Sequence, residues 1–256
     1  MTSLHFQDPN PSGQPVVLLL HGLGADSTSW ILQMPALSEA GFRPVSPDVP
    51  GFGSSPYAGG GWNVWRVAAQ VADLLVELGC GPAHIVGLSM GGVIAQRFAL
   101  DFPQLTRKLV LLSTFSVLRP QGLNGWTYFI RRAAALLILG MNAQARVVAR
   151  HIFPNPQDEA LREMYLAAVA RANPQAYRKA MLSMGTFDSR KRLGEIKAPT
   201  LVITGSDDGT IPPERQKILA QGIPSARQVI IPQAGHAVSV DQAERFNQLL
   251  LDFFKD

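Results

Sequence analysis

His84-Ile85-Val86-Gly87-Leu88-Ser89-Met90-Gly91-Gly92-Val93-Ile94-Ala95 is the stretch on which the reading of the fold turns. The apolar run His84–Leu88 has the make-up of a buried strand, and Met90–Asp101 reads as a helix. Between them sits Gly87-Leu88-Ser89-Met90-Gly91, a G-x-S-x-G pattern. The pattern alone is weak. A strand running in and a helix running out are, however, the setting that a nucleophile elbow requires. There a sharp, strained turn lifts a serine hydroxyl to the top of a sheet, and flanking glycines leave room for close backbone approach. An ordinary glycine-rich turn is the plain alternative.

Working outward, short apolar runs alternate with longer amphipathic ones, the pattern of a parallel sheet with crossover helices. The spacing predicts strands at Val16–Leu20, Arg43–Ser46, His84–Leu88, Lys108–Ser113, Thr200–Thr204 and Gln228–Ile231, with Leu4–Gln7 a candidate edge strand. Helices are expected at Trp30–Glu39, Asn63–Leu78, Met90–Asp101, Pro213–Gln221 and Asp241–Phe254. Val67, Val71, Leu74, Leu75 and Leu78 recur at helical spacing. Asp241 is placed as an N-cap, with Glu244 three residues on completing a capping box. The alternation breaks once. From Phe115 to about Lys197 only helical segments are visible, punctuated by Pro120, Gly140, Pro154, Pro156 and Pro174. The expected organisation is therefore a core of residues 1–114 and 198–256, with residues 115–197 inserted as a helical cap.

Composition narrows the classes. A chain of 256 residues with 46% hydrophobic and 16% charged residues suits one large α/β domain and excludes a disordered one. Cys80 is the only cysteine, so no internal disulfide forms, and a reducing cytoplasm is the expected setting. Met1 to Pro11 carries neither a basic nor an apolar signal region. The longest uncharged apolar run, Ala133 to Met141, is nine residues, too short for a bilayer. A net charge of +4 without a Lys/Arg run or aromatic-interleaved basic stripe gives nucleic-acid binding little support. Histidines and acids show no metal-ligand spacing, and no G-x-G-x-x-G follows a first strand, so neither a metal nor a dinucleotide is expected. No oligomeric state is assigned.

Three more motifs carry chemistry, each just after a predicted strand. His21-Gly22-Leu23-Gly24 follows Val16–Leu20. Acyl transfer needs donors fixed where charge develops on a carbonyl oxygen, and the backbone N–H groups of Leu23 and Met90 are the candidates. Gly205-Ser206-Asp207-Asp208-Gly209-Thr210-Ile211-Pro212 follows Thr200–Thr204, and Gly235-His236 follows Gln228–Ile231. The chain order is Ser, Asp, His. A serine is a poor nucleophile until a histidine removes its proton, and a carboxylate then fixes the imidazole's tautomer. On spacing within the loop alone, Asp207 and Asp208 both compete for that place.

With Trp30 and Asp48-Val49-Pro50-Gly51-Phe52-Gly53-Ser54-Ser55, these motifs make the chain resemble the α/β-hydrolase superfamily over essentially its whole length. The resemblance implies an α/β-hydrolase fold, a mostly parallel sheet with helices on both faces and an inserted helical cap. It implies Ser89, Asp208 and His236 as catalytic residues, Asp208 because the family's acid lies three residues after the glycine and four before the proline. It implies no cofactor. Within the superfamily the chain looks most like small cap-bearing esterases and lactonases of the 3-oxoadipate enol-lactonase type. The short chain before Val16 is expected to leave the usual eight-stranded sheet one strand short. Asp241-Gln242 stands where the family often has Glu-Pro.

The expected activity is hydrolysis of a carboxylic ester or lactone through an acyl-enzyme. A C–C bond hydrolase, a cofactor-free perhydrolase and a non-turnover ligand receptor on the same fold stay open. Trp126 and Phe129, where the cap begins, are candidate substrate contacts. Residues 115–200 hold thirteen Lys and Arg against five Asp and Glu. Those charges are either solvated helix faces serving solubility or, with Arg131 and Arg132 near the site, an attraction for acidic substrates.

Overall fold

Val16–Leu20 (β2) is Val-Val-Leu-Leu-Leu, buried at every position. A strand apolar on both faces must be covered on both, which a parallel sheet with crossover helices achieves. The computed structural model, which describes residues 4–118, 122–134, 138 and 140–255, has that arrangement; the side chains at 124, 125, 128, 129, 132 and 133 lie outside the description. The other strands are β1 (Phe6–Gln7), β3 (Arg43–Pro47), β4 (Ala83–Leu88), β5 (Thr106–Leu112), β6 (Thr200–Gly205) and β7 (Ala226–Ile231). They form one sheet in the order β1-β3-β2-β4-β5-β6-β7. Only the short edge strand β1 runs antiparallel, pairing Phe6 with Pro47. This is the α/β-hydrolase fold.

Alternation along each strand separates two cores. Val16, Leu18, Leu20, Ile85, Leu109, Leu111 and Val202 share one face with Val67, Val71 and Leu74 of α2 (Val64–Glu77) and Val93, Ile94 and Phe98 of α3 (Met90–Asp101). Val17, Leu19, Val86, Val110, Leu112, Leu201 and Ile203 share the other with Met34 and Leu37 of α1 (Met34–Glu39) and Phe246, Leu250 and Phe253 at the C-terminal end. Asn63 caps α2, its side chain accepting the Arg66 N–H at 2.9 Å. The strand order reverses about β2: β3 lies on one side of it and β4 on the other. Ligands in open α/β sheets bind at the carboxyl ends of the strands beside such a reversal. Here that crevice lies between the loop after Leu20 and the turn after Leu88.

Between β5 and β6 the chain forms α4 (Gly122–Ala134), α5 (Met141–Ile152), α6 (Glu159–Arg171) and α7 (Pro174–Thr186). Among the described residues here, the only β pairing is an isolated bridge of Val117 with Asp188. No described helix is long and apolar enough to cross a membrane.

Two expectations need correction. The helix expected at Trp30–Glu39 divides into a 3₁₀ turn, Ser27–Trp30, and α1. Asp26 caps the turn through the Thr28 N–H, and Pro35, lacking an N–H, favours a fresh start to α1. Asp241 is not the cap of the last helix. It ends the short helix α9 (Val238–Asp241), after α8 (Pro213–Gly222), and its carboxylate accepts the Gly235 N–H at 2.9 Å. The final helix, α10, spans Ala243–Lys255.

His84 sits in this second core, stacked on Phe254 at 4.3 Å and edge-on to Phe42. Among the described residues, neither ring nitrogen has a hydrogen-bond partner. Burial, with Arg107 and Lys108 nearby, lowers its pKa to about 3. The unfolded chain therefore binds a proton below about 6.5 that the folded chain refuses until about 3, so stability falls as pH falls through that window. The urea midpoint is expected to be lower at pH 5 than at pH 7.5, and His84→Phe should shrink that loss. Equal losses in both proteins would show that His84 does not carry it.

Candidate active site

Ser89 is the turn residue between β4 and α3, at φ 54° and ψ −111°, a region that costs a non-glycine residue about 1–3 kcal/mol. Neighbouring hydrogen bonds hold it there. Its N–H donates to the Leu112 carbonyl at 2.9 Å, and its own carbonyl accepts the Gly92 N–H at 3.0 Å and the Thr114 hydroxyl at 2.7 Å. The glycines at 87 and 91 are steric requirements. A Cβ on Gly91 would overlap the Leu20 carbonyl oxygen, and one on Gly87 would overlap the Gly91 carbonyl. The turn can be this tight only without those side chains.

Asp208 and His236 meet at the ends of β6 and β7. The His236 Nδ1–H donates to both carboxylate oxygens, at 3.1 and 3.0 Å, in a pair that is almost fully buried. A carboxylate acceptor fixes the proton on Nδ1 and leaves Nε2 as the ring's free base. The Thr210 and Ile211 N–H groups donate to Asp208 Oδ1 at 2.9 and 2.8 Å, which locks the carboxylate's direction. Asp207 is exposed, accepts from the Ser206 hydroxyl and, among the described residues, makes no hydrogen bond with the histidine. Of the two neighbours only Asp208 reaches His236. Asp241, which holds the Gly235 N–H, has its carboxyl pushed up, chiefly by burial.

The loop after β2 completes the crevice. A Cβ on Gly22 would lie 3.7 Å from Ser89 Cβ, so the backbone of this loop faces the elbow. Leu23 and Met90 are buried, and among the described residues neither N–H has a hydrogen-bond acceptor. His21 anchors the loop. The Val49 N–H donates to Nε2 at 3.1 Å, placing the ring proton on Nδ1, which donates to the Gly22 carbonyl at 2.9 Å. Burial pushes its pKa below the usual range, so the ring is neutral.

Several participants had no local motif to betray them. Gln216 of α8 bridges the Ile211 carbonyl and Asp208, eight residues from the acid. From α6, Tyr165 donates its hydroxyl to the Leu23 carbonyl at 3.3 Å. Val169 stands 2.6 Å from where a Cβ on Gly24 would be. Arg171 pairs with Asp26 at 2.6 Å. Burial alone would raise the Asp26 carboxyl, but the Thr28 hydroxyl and Arg171 hold it below its usual value. Helical periodicity places Arg171 on α6; nothing in it says which loop it reaches. Trp126 lies on α4, about half exposed at 52%, and the Phe129 and Arg132 side chains lie outside the described residues.

A sequence model of the α/β hydrolase fold matches residues 15–243. The chain is 33% identical to "Putative carbamate hydrolase RutD" of Variovorax paradoxus, covering 98% of this chain and 95% of that one. It is 31% identical to 2-hydroxy-6-oxo-6-phenylhexa-2,4-dienoate hydrolase of Burkholderia cepacia, over 95% and 89% of the two chains. Among solved structures, the enol-lactonase of Burkholderia xenovorans LB400 superposes with a TM-score of 0.89 at 26% identity, over 99% and 96%.

The elbow's glycines differ sharply from glycines elsewhere. Gly91→Ala is expected to cost about 1–3 kcal/mol or to prevent folding, as overpacking does. Gly185, inside α7 with nothing within 4 Å of its would-be Cβ, should behave oppositely. Gly185→Ala should stabilise by up to about 1 kcal/mol through helix propensity. Melting temperatures of the two variants decide it, and a neutral Gly91→Ala would discount the close approach to Leu20.

Proposed function

Since the chain belongs to the α/β-hydrolase family, we propose that it is a serine hydrolase cleaving a carboxylic ester or lactone through an acyl-enzyme. The observation that carries the reading is the buried Asp208–His236 pair, set in chain order after a serine held at φ 54°. Likeness to the B. xenovorans enol-lactonase supports the choice of substrate class.

In this mechanism His236 Nε2 takes the proton from Ser89 Oγ as the oxygen attacks the carbonyl carbon. Negative charge grows on the carbonyl oxygen, and the unpaired Leu23 and Met90 N–H groups receive it. His236 then passes the proton to the leaving alkoxide, while Asp208 stabilises the imidazolium without taking its proton. Water, deprotonated by the same nitrogen, cleaves the acyl-enzyme and restores Ser89. Residues 115–197 act as a cap over the core of residues 1–114 and 198–256, and Trp126 and Phe129 contribute to substrate contact. The single Cys80 suits a cytoplasmic setting.

A second reading has an observation of its own. The 31% identity with the B. cepacia dienoate hydrolase favours cleavage of a C–C bond beside a ketone by the same residues. A panel of short-chain esters, enol-lactones and ring-cleavage diketones, ranked by kcat/KM, separates the two.

A fluorophosphonate is expected to label Ser89 alone and stop turnover. Ser89→Ala should lose on the order of 10⁴–10⁶ in kcat, as removal of a triad nucleophile does. Asp208→Asn should cost orders of magnitude more rate than Asp207→Asn, with both proteins folded. Activity retained in folded Ser89→Ala would sink the mechanism, and the reverse aspartate ranking would move the acid. A burst followed by steady turnover of an aryl ester distinguishes an enzyme from a receptor, which would give no steady phase.

A further inference from the structure

One face of α5 carries Arg146, Val147, Arg150 and His151, at i, i+1, i+4 and i+5. Together with Arg131 of α4 they line a cavity of about 260 Å³. Among the described residues, three arginines therefore share the lining of one hollow with a valine and a histidine.

Four other arginines of this helical segment are neutralised locally, while Arg178 of α7, among the described residues, is not. Arg162 pairs with Glu159, Arg171 with Asp26, Arg190 with Asp188 and Arg192 with Glu195, at 2.6 to 2.8 Å. Among the described residues, Arg131, Arg146 and Arg150 have no carboxylate within 4 Å. Arg150 and His151 fall in the last turn of α5, where the helix dipole favours cations. That explains neither Arg146, a full turn earlier, nor Arg131 on another helix. Like charges gathered in a concave site raise the local concentration of anions, and guanidinium donors match carboxylate and phosphate oxygens two at a time. The volume falls just under the roughly 300–1,000 Å³ of ordinary small-ligand pockets, which suits a compact acid.

Its position gives the cavity a route to the chemistry. The His151 ring lies 3.5 Å from where a Cβ on Gly209 would be, beside Asp208. The Ile152 carbonyl is 3.7 Å from the corresponding point on Gly235, beside His236. The end of α5 thus rests against both loops that carry the buried pair.

We propose that Arg131, Arg146 and Arg150, with His151, form a binding site for the oxyanion of a small organic acid or phosphate. The oxyanion is either part of the substrate or a separate molecule. The site itself stands without the hydrolase reading; only the kinetic arms below rest on it.

The binding test uses the full chain with succinate and with inorganic phosphate, against sodium chloride at matched ionic strength. Calorimetry and thermal shift should show saturable binding of at least one of the two anions. Arg146→Gln/Arg150→Gln should weaken it about tenfold or more, as loss of charged hydrogen bonds does. Arg190→Gln, remote in sequence and paired with Asp188, should leave it unchanged. If the double variant fails to fold, Arg131→Gln alone is read in the same way. Responses that merely follow ionic strength, or that are equal in wild type and variant, overturn the proposal.

Kinetics then identify the source. If the oxyanion belongs to the substrate, the double variant raises KM for a carboxylate-bearing aryl ester about tenfold and spares its neutral isostere. If it is a separate molecule, the anion that binds changes kcat for the neutral ester in wild type and not in the variant. A protein that binds the anion but turns over none of the esters, enol-lactones and diketones would refute the hydrolase reading and leave the site intact.

Discussion

Helix α3 runs so close beneath the end of β2 that a methyl group at position 91 would strike the Leu20 carbonyl oxygen. Most of the site depends on that approach. It lets the chain leave β4, reverse at Ser89 and enter the helix within a single residue. The Met90 N–H then opens α3 as one of the donors that no helix can satisfy internally. The same approach sets the loop after Leu20 beside the elbow, so the Leu23 and Met90 amides come from two neighbouring strand ends. A looser contact would separate them, and with it would go the preorganisation that the proposed mechanism requires.

Around this point the protein manages charge by direction rather than by exposure. Asp48 is buried, yet its oxygens accept the Ser27 and Ser54 N–H groups at 2.6 and 2.8 Å and the His5 ring at 3.0 Å. Asp208 is treated alike, with two loop amides and an imidazole. In both cases backbone donors fix a carboxylate whose remaining valence aims at a histidine. His21 is the counterpart: kept neutral by burial, it braces the loop through one accepted and one donated hydrogen bond and adds no charge near Ser89. The two histidines are therefore distinguished by their partners: His236 faces a carboxylate, and His21 a backbone amide and a carbonyl.

How much of this the sequence disclosed follows from the range of each interaction. The strands were legible because a buried parallel strand is apolar throughout, and Val16–Leu20 coincides residue for residue. The elbow was legible because its steric demands fall within five residues. The break at residues 31–33 was harder to see, since Pro35 starts a helix as readily as it sits in the first turn of a longer one. Asp241 misled for a related reason. An acid three residues before a glutamate looks like a cap, but the carboxylate finds the Gly235 amide, which local spacing does not reveal. Gln216, Tyr165 and Arg171 were invisible because their partners lie far along the chain, where only tertiary packing decides the match. The choice between Asp207 and Asp208 needed family spacing in the sequence, whereas in the structure the direction of one side chain settles which reaches His236.

Those distant contacts also bear on what the inserted helices do. Gly24 has φ +80°, and the space a side chain would fill there is taken by Val169 and the Tyr165 hydroxyl. One side of the loop faces Ser89 while the other is packed by α6, with Arg171 tied to Asp26 two residues on. The loop that carries Leu23 thus lies between Ser89 and a helix of the segment between β5 and β6. Such an arrangement couples the two: a change that shifts α6 moves the loop that faces Ser89, as well as the wall of the crevice. The α5 end touches the acid and histidine loops in the same fashion. The helices between β5 and β6 therefore bear on both halves of the machinery, and their packing helps set the geometry as well as the shape of what enters.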